Sequence, residues 1–182
     1  MQNNEPLPDF QQEQAAPQPI RIRFPLIQPN MAYAIIFVLV LVHLYVSQLN
    51  PFEQNDFYLK YSNFAVYVAQ GEYYRLFTSM FLHAPGLMHL GFNSLALYAF
   101  GKDIESLFGH VRFTLIYFLG GLAGSVTSFA ITRSNSIGAS GAVFAVFGAL
   151  VAYYYQNRQL YGAAAAVRLR QLGMLALVNL GI

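Results

Sequence analysis

The sequence predicts an all-α polytopic membrane protein, a bundle of transmembrane helices with four full spans and part of a fifth. Of its 182 residues, 56% are hydrophobic and only 10% are charged, whereas about 25% of the residues of a soluble domain are charged. The charges are clustered and leave four long uncharged windows. Because roughly 20 apolar helical residues cross the hydrocarbon core of a bilayer, each window can hold one span.

The first window runs from Phe24 to Phe52, and its apolar centre MAYAIIFVLVLVHLYVS predicts a span over 31–49. A secretory signal explains this segment poorly, because no small-residue cleavage site follows it and further spans do. The preceding residues 1–30 are rich in Gln, Pro and Asn and poor in apolar side chains. That composition predicts a disordered tail.

The later windows predict the remaining spans. Pro85 and Gly86 interrupt the second window, so its helix is expected to begin near Leu87. The stretch QLGMLALVNLGI that follows Arg170 is apolar but too short to cross a bilayer. We therefore expect a membrane domain over 31–182 that is incomplete at its C-terminus. Its later spans are predicted over 87–101, 113–132 and 138–155, with a partial span over 171–182.

The distribution of basic residues predicts the orientation, because Lys and Arg near the spans favour the cytoplasmic side. With the N-terminus inside, seven basic residues fall in cytoplasmic segments and three in outer segments. We expect a cytoplasmic N-terminus and a location in the plasma membrane. The outer segment 48–86 is rich in Tyr and Phe, which suits a position in the membrane interface.

Composition also excludes several classes of function. A formal net charge of +2 provides too little basic surface for a nucleic-acid partner. The absence of cysteine excludes disulfides, thiolate metal sites and a cysteine nucleophile. We expect no metal and no cofactor, because the polar cluster described next contains one well-placed histidine, fewer than the three ligands of a catalytic zinc. A transporter or channel is disfavoured because no span carries a buried charge along an ion path.

Two polar residues stand out in the second predicted span. His89 and Asn93 are four residues apart, so their side chains lie on one face of a helix. Polar groups inside the membrane destabilise the fold unless they form hydrogen bonds, and they are otherwise kept for function. Two interpretations are open: the pair forms hydrogen bonds between helices, or it belongs to a functional site.

The fourth predicted span begins with Gly138-Ala139-Ser140-Gly141, at a depth similar to that of His89 and Asn93. Small residues allow a substrate to approach closely, and a helix N-terminus offers N–H groups to a developing oxyanion. The alternative is that these are packing residues, since GxSG is a common pattern. Together, Ser, His and Asn can supply the groups that acyl transfer needs, and chemistry alone would make His89 the base.

These motifs resemble those of the rhomboid intramembrane serine proteases. The stretch YYRLFTSMFLHAPGLMHLGFNSLALYAFGKDIESLFG is similar to the outer loop of that family followed by its HxxxN helix, and SIGASGAVFAVFGAL is similar to its GxSG helix. The resemblance covers about residues 35–182, with the motifs in the family's order. Tyr74 replaces the family's loop tryptophan beside the matching Arg75, and Gly101 and Glu105 match a structural cytoplasmic loop.

The resemblance implies that Ser140 is the nucleophile and that His89 and Asn93 form the oxyanion hole with the Ser140 backbone N–H. The family's general base is a histidine on a sixth span, which these 182 residues do not include. We therefore expect a serine endopeptidase that cleaves transmembrane protein substrates within the lipid bilayer, near its outer surface, and that is nearly inactive as this fragment. The alternative is a non-catalytic rhomboid-like binder of transmembrane helices.

Overall fold

The computed structural model describes residues 27–131 and 135–180, with side chains through residue 175. Regular structure in these ranges is helical, apart from one isolated antiparallel bridge between Asn63 and Ser136. The predicted all-α fold is confirmed. In chain order the helices are α1 (Asn30–Gln48), α2 (Pro51–Tyr61), α3 (Ala65–Ala69), α4 (Arg75–Thr78), α5 (Leu87–Ala96), α6 (Lys102–Phe108), α7 (His110–Ile131), α8 (Ser140–Gln156), α9 (Arg158–Tyr161) and α10 (Ala163–Leu180).

The long helices occupy the windows in which spans are predicted, but two of them extend further. A π-helical turn over Leu97–Gly101 joins α5 to α6, so this helical column continues to Phe108. Helix α10 begins at Ala163, ahead of the predicted partial span 171–182. Of the predicted tail 1–30, residues 1–26 lie outside the described residues.

Among the described helices, α1 and α7 are each long and apolar enough to cross a membrane. Large apolar side chains on both point away from the protein, with Phe37 63% exposed and Leu119 61% exposed. Apolar exposure on this scale is unusual for a soluble monomer and marks surfaces that meet lipid or another protein. The interior between α1, the α5–α6 column, α7 and α8 is filled by fully buried side chains, among them Leu39, Leu97, Ile104, Phe113, Tyr117, Val146 and Leu150.

Helices α7 and α8 approach each other closely along a stripe of small residues. A Cβ atom placed on Gly124 would lie 2.9 Å from the Cα of Gly141, and one on Gly120 would lie 2.1 Å from the Cβ of Ala145. Real side chains do not tolerate such distances, so glycine allows the two backbones to touch. The contact places the start of α8 against the later turns of α7.

A buried carboxylate caps the first long helix from another part of the chain. Helix α1 follows Pro29 and has no side-chain cap of its own. Glu105 of α6 is fully buried and accepts hydrogen bonds from the backbone N–H groups of Met31 at 2.8 Å and Ala32 at 2.7 Å. His110 also contacts the Glu105 carboxylate. A negative charge at a helix N-terminus is favourable, so Glu105 ties α1 to α6.

The outer segment between α1 and α5 is organised around Arg75, which is 5% exposed. Its guanidinium donates to the carbonyls of Leu59 and Ser62, forms an ion pair with Glu72 and lies 4.6 Å from the ring centroid of Tyr67. These contacts hold α2, α3 and α4 together as one folded unit.

Replacing Glu105 with Gln is expected to destabilise the protein by about 1–3 kcal/mol. Glutamine keeps one acceptor oxygen but presents an N–H₂ group to a backbone N–H that then has no acceptor. The measurement is denaturant unfolding of the purified protein in detergent. The matched control is Glu53→Gln in the exposed capping box of α2, for which we expect a loss below about 1 kcal/mol. Equal losses in the two variants would contradict the buried cap.

Candidate active site

Ser140 is the first residue of α8 and lines a cleft of about 200 Å³. Ala139, the residue before it, provides no side-chain cap. The N–H groups of the first helical turn have no partner within a helix, so they remain available to a negatively charged group beside Ser140. The Ser140 side chain is exposed toward the cleft. A substrate can therefore reach its hydroxyl.

The walls of this cleft are rich in hydroxyl groups. Besides Ser140, its lining includes Ser79, Ser125, Ser128 and Ser136. The Oγ atoms of Ser128 and Ser136 form a hydrogen bond of 2.9 Å. Polar walls and this volume suit ordered water, which needs several polar partners in a sufficiently large cavity. Water is the co-reactant of any hydrolysis at Ser140.

Asn63 connects the outer segment to the loop that carries Ser140. Its buried side-chain amide donates to the carbonyl of Ser125 at 2.9 Å and to the hydroxyl of Ser136 at 3.1 Å. Its backbone also pairs with Ser136 in the isolated bridge. The fold of the outer segment therefore sets the position of the loop before α8. The sequence analysis did not identify Asn63, because its contacts are far away along the chain.

Gly138 has no room for a side chain. Its φ of +118° lies in a region that L-residues rarely adopt, and its N–H donates to the carbonyl of Ser79 at 2.9 Å. A Cβ atom there would lie 2.8 Å from both Cε1 and Nε2 of His89. The imidazole of His89 thus packs directly on the backbone two residues before Ser140. The structure brings these two predicted site residues into one neighbourhood.

The hydrogen bond from the N–H of Ala84 identifies the proton-bearing nitrogen of His89. This N–H donates to Nδ1 of His89 at 3.3 Å, so Nδ1 acts as an acceptor. A neutral imidazole then carries its hydrogen on Nε2, the atom that faces Gly138. His89 consequently presents a donor to the loop, which favours an oxyanion-binding role over the role of a base.

Asn93 lies one turn further along α5 and is 6% exposed. Its side-chain Nδ2 donates to the carbonyl of His89 at 2.9 Å. The amide is therefore engaged within its own helix, and Asn93 is not among the residues that line the cleft. A second amide hydrogen remains on Nδ2. Of the three predicted site residues, His89 and Ser140 meet at the loop, whereas Asn93 is buried one turn further along α5.

His83 supports His89 from the side. The two ring centroids are 5.0 Å apart with the planes at 67°, an edge-to-face contact, and His83 is only 2% exposed. His83 lies in the loop before α5, outside the predicted spans. Burial, with the neighbouring His89 second in importance, lowers the pKa of His83 to about 4. The spacing of His83 from His89 in the sequence does not reveal this ring contact.

Neither of the other two histidines is available to Ser140, because one is buried and the other is far away. His43 of α1 is buried. His110 starts α7 and contacts Glu105, roughly 20 Å along the helix axis from the contact between Gly124 and the start of α8. No group of three or more His, Cys, Asp or Glu residues in the described ranges could hold a metal ion.

Comparison with known proteins identifies the family. Residues 70–182 match the rhomboid domain, which is more than half of the chain. The chain belongs to the rhomboid family. Rhomboid protease GluP of Bacillus subtilis is 41% identical over 118 residues, which cover 63% of this chain and 22% of that protein. RHOMBOID-like protein 6, mitochondrial, of Arabidopsis thaliana is 38% identical over 117 residues, 63% of this chain and 38% of that protein.

A third relative, RHOMBOID-like protein 9, chloroplastic, of Arabidopsis thaliana, is 39% identical over 93 residues, 51% of this chain and 21% of that protein. The chain therefore spans between about a fifth and two fifths of the length of these three relatives. Family membership confirms the rhomboid resemblance drawn from the motifs. It also identifies this rhomboid chain as an integral membrane protein.

Replacing Gly138 with Ala is expected to destabilise the protein by about 1–3 kcal/mol, because a positive φ strains an L-residue and the new methyl group collides with the His89 ring. The measurement is the free energy of unfolding in detergent, together with the side-chain ¹⁵N resonances of His89. Gly148→Ala is the matched control, since a Cβ at Gly148 meets nothing within 4 Å. An undisturbed His89 in the Gly138 variant would contradict the packing described.

The low pKa of His83 predicts that the free energy of unfolding of the protein falls in acid. Because the folded-state pKa, about 4, lies below the usual 6.5, the unfolded chain takes up the proton first as the pH falls. The contribution to stability is intact above pH 6.5 and is lost between pH 6.5 and 4, by about 2 kcal/mol at pH 4.5. Unfolding free energies measured at pH 7 and 4.5 test this. His83→Phe should remove most of the loss, whereas His110→Asn should retain it.

Proposed function

We propose that the complete protein is an intramembrane serine endopeptidase that cleaves transmembrane protein substrates near the outer surface of the membrane. The observation that carries this proposal is the packing of the His89 imidazole on Gly138, with its Nε2 donor beside the loop that begins α8. This arrangement gathers a serine hydroxyl, a helix N-terminus and a neutral N–H donor around one loop. Acyl transfer requires these groups.

In the first step, Oγ of Ser140 forms a bond to the scissile carbonyl carbon, and the π-electron pair of the carbonyl moves to its oxygen. The resulting oxyanion accepts hydrogen bonds from the Ser140 backbone N–H and from Nε2–H of His89. Asn93 contributes the amide hydrogen that its bond to the His89 carbonyl leaves free. Each such donor in a protected site accounts for about 3–4 kcal/mol of transition-state stabilisation.

The proton of the Ser140 hydroxyl needs an acceptor that the four histidines of this chain do not provide. His89 carries hydrogen on the nitrogen nearest the loop, His83 and His43 are buried, and His110 is at the far end of α7. We propose that the general base comes from a residue outside positions 1–182, and that residues 1–182 alone are nearly inactive. The oxyanion then re-forms the carbonyl, the C–N bond breaks, and the base passes the proton to the leaving amine. Water from the cleft attacks the acyl-enzyme and gives a proton to the base, and the ester bond to Ser140 breaks as the proton returns to Oγ.

We further propose that the N-terminus is cytoplasmic and that the protein resides in the plasma membrane. The support for this orientation is the excess of basic residues in the segments that it places inside. In this orientation the Ser140 cleft opens toward the outer surface, and water enters from that side.

The second candidate function is that of a non-catalytic binder of transmembrane helices. Its support is that no histidine among the described residues 27–131 and 135–180 is positioned to act as the general base for Ser140. Under this alternative, Ser140 and His89 stabilise the loop, and substrate helices are captured without being cut.

Ser140→Ala in the complete protein is expected to lower the rate of cleavage of a helical membrane substrate by about 10⁴-fold or more, because the nucleophile and its partners act as a unit. The measurement is substrate cleavage in proteoliposomes. Ser47→Ala is the matched control, since the Ser47 hydroxyl donates to the His43 carbonyl of its own helix, and it should retain the parental rate.

The outcome separates the two candidates. Equal cleavage by the Ser140 variant and the parent would contradict the nucleophile assignment. Absence of cleavage by the complete parent protein, with the substrate helix still retained on the purified protein, would favour the non-catalytic binder.

A further inference from the structure

An apolar groove runs along the outside of the bundle between α1 and the α5 column. Its volume is about 570 Å³, and nearly all of its lining is apolar. Tyr33, Phe37 and Val40 form one wall, and Leu95 and Tyr98 form the other. From Tyr33 to Val40 the groove follows α1 for about 10 Å. The dimensions and lining match one extended hydrocarbon chain rather than a polar ligand.

A pocket of about 430 Å³ that includes charged side chains adjoins the groove at the end where α1 begins. Tyr33 lines both cavities, and its ring stacks on that of Tyr98 with centroids 6.1 Å apart. The pocket also includes Lys102, Asp103 and Arg168. One continuous surface thus changes from apolar to charged at a pair of tyrosines, and tyrosine is enriched where membrane proteins meet the headgroup region.

The charges in the pocket leave one positive charge uncompensated. Arg168 forms an ion pair with Asp103. Lys102 lies 4.9 Å from the ring centroid of Tyr98 and has no carboxylate partner among the described residues. A half-buried ammonium group at the end of an apolar groove is complementary to a phosphate that is attached to a hydrocarbon chain.

We propose that this surface binds an anionic phospholipid, with one acyl chain in the groove between α1 and α5 and the phosphate beside Lys102. The other lysine with a surface cavity provides a contrast. Lys60 shares its cavity with Glu53 and Asp56, so that cavity has a net negative charge and disfavours phosphate. The site is distant from Ser140, and the inference does not depend on the proposed protease activity.

Native mass spectrometry of the purified protein in detergent tests the proposal by titration with phosphatidylglycerol and, separately, phosphatidylcholine. Lys102→Gln is expected to weaken phosphatidylglycerol binding about fivefold, the effect of removing one interfacial cation, and to weaken phosphatidylcholine less, because its choline group compensates the phosphate charge. Val40→Trp fills the groove and is expected to weaken both lipids about tenfold, equivalent to about two displaced methylene groups.

Two control variants introduce the same residue types at positions outside the proposed site. Lys60→Gln removes a lysine from the acidic cavity, and Leu41→Trp places the same large ring on a neighbouring exposed position of α1. Both should bind phosphatidylglycerol as the parent does. Thermal unfolding of each variant verifies that it is folded.

Three outcomes would overturn the proposal. Equal weakening by Lys60→Gln and Lys102→Gln would show that the lipid responds only to total charge. Parental affinity in both Lys102→Gln and Val40→Trp would show that the lipid binds elsewhere. Displacement of phosphatidylglycerol by glycerol phosphate at equal concentration would show that the pocket binds a free phosphate and that the groove does not contribute.

Discussion

The contact between the backbones of α7 and α8 is the constraint on which the position of the candidate site depends. Gly124 and Gly141 face each other so closely that a Cβ on Gly124 would lie 2.9 Å from the Gly141 Cα, and one on Gly141 would lie 3.1 Å from the Gly124 Cα. In lipid, hydrophobicity does not drive helices together, so close packing of small residues supplies much of their attraction. The contact occurs at the first turn of α8, and it therefore determines where Ser140 and the free N–H groups of that turn are located.

The outer segment completes this arrangement from the opposite side. Arg75 holds its short helices together by donating hydrogen bonds to the carbonyl groups of Leu59 and Ser62. Asn63, within the same segment, binds Ser125 of α7 and Ser136 of the loop before α8. A segment that merely rested on the membrane surface would not need these buried polar bonds. Its folding is thus coupled to the geometry of the cleft, because a shift of Asn63 would move the loop that Ser140 follows.

Much of the architecture was predictable from sequence because lipid requires backbone groups to bond within helices, so uncharged windows indicate helices. The Pro85-Gly86 pair correctly marks the start of α5 at Leu87. Helix ends were harder to predict from the sequence. Charged residues mark the end of an uncharged window, yet α6 continues through them and buries Glu105. In the site, the i, i+4 spacing of His89 and Asn93 drew attention to both residues. The ring contact between His83 and His89 could not be predicted, because it joins a loop to a helix and follows no periodic pattern in the sequence.

The use of hydrogen-bonding groups distinguishes the two polar centres of this rhomboid domain. At one end of the bundle, the Glu105 carboxylate has two backbone donors and His110 as partners, so its bonding capacity is used for capping α1. At the cleft, the N–H of Ala84 occupies only Nδ1 of His89, which leaves Nε2–H directed at the loop of Ser140. His89 is only partly buried, so this N–H can donate to water or to an oxygen of a ligand. The first centre therefore uses its bonding capacity within the fold, whereas the second keeps a donor available beside Ser140.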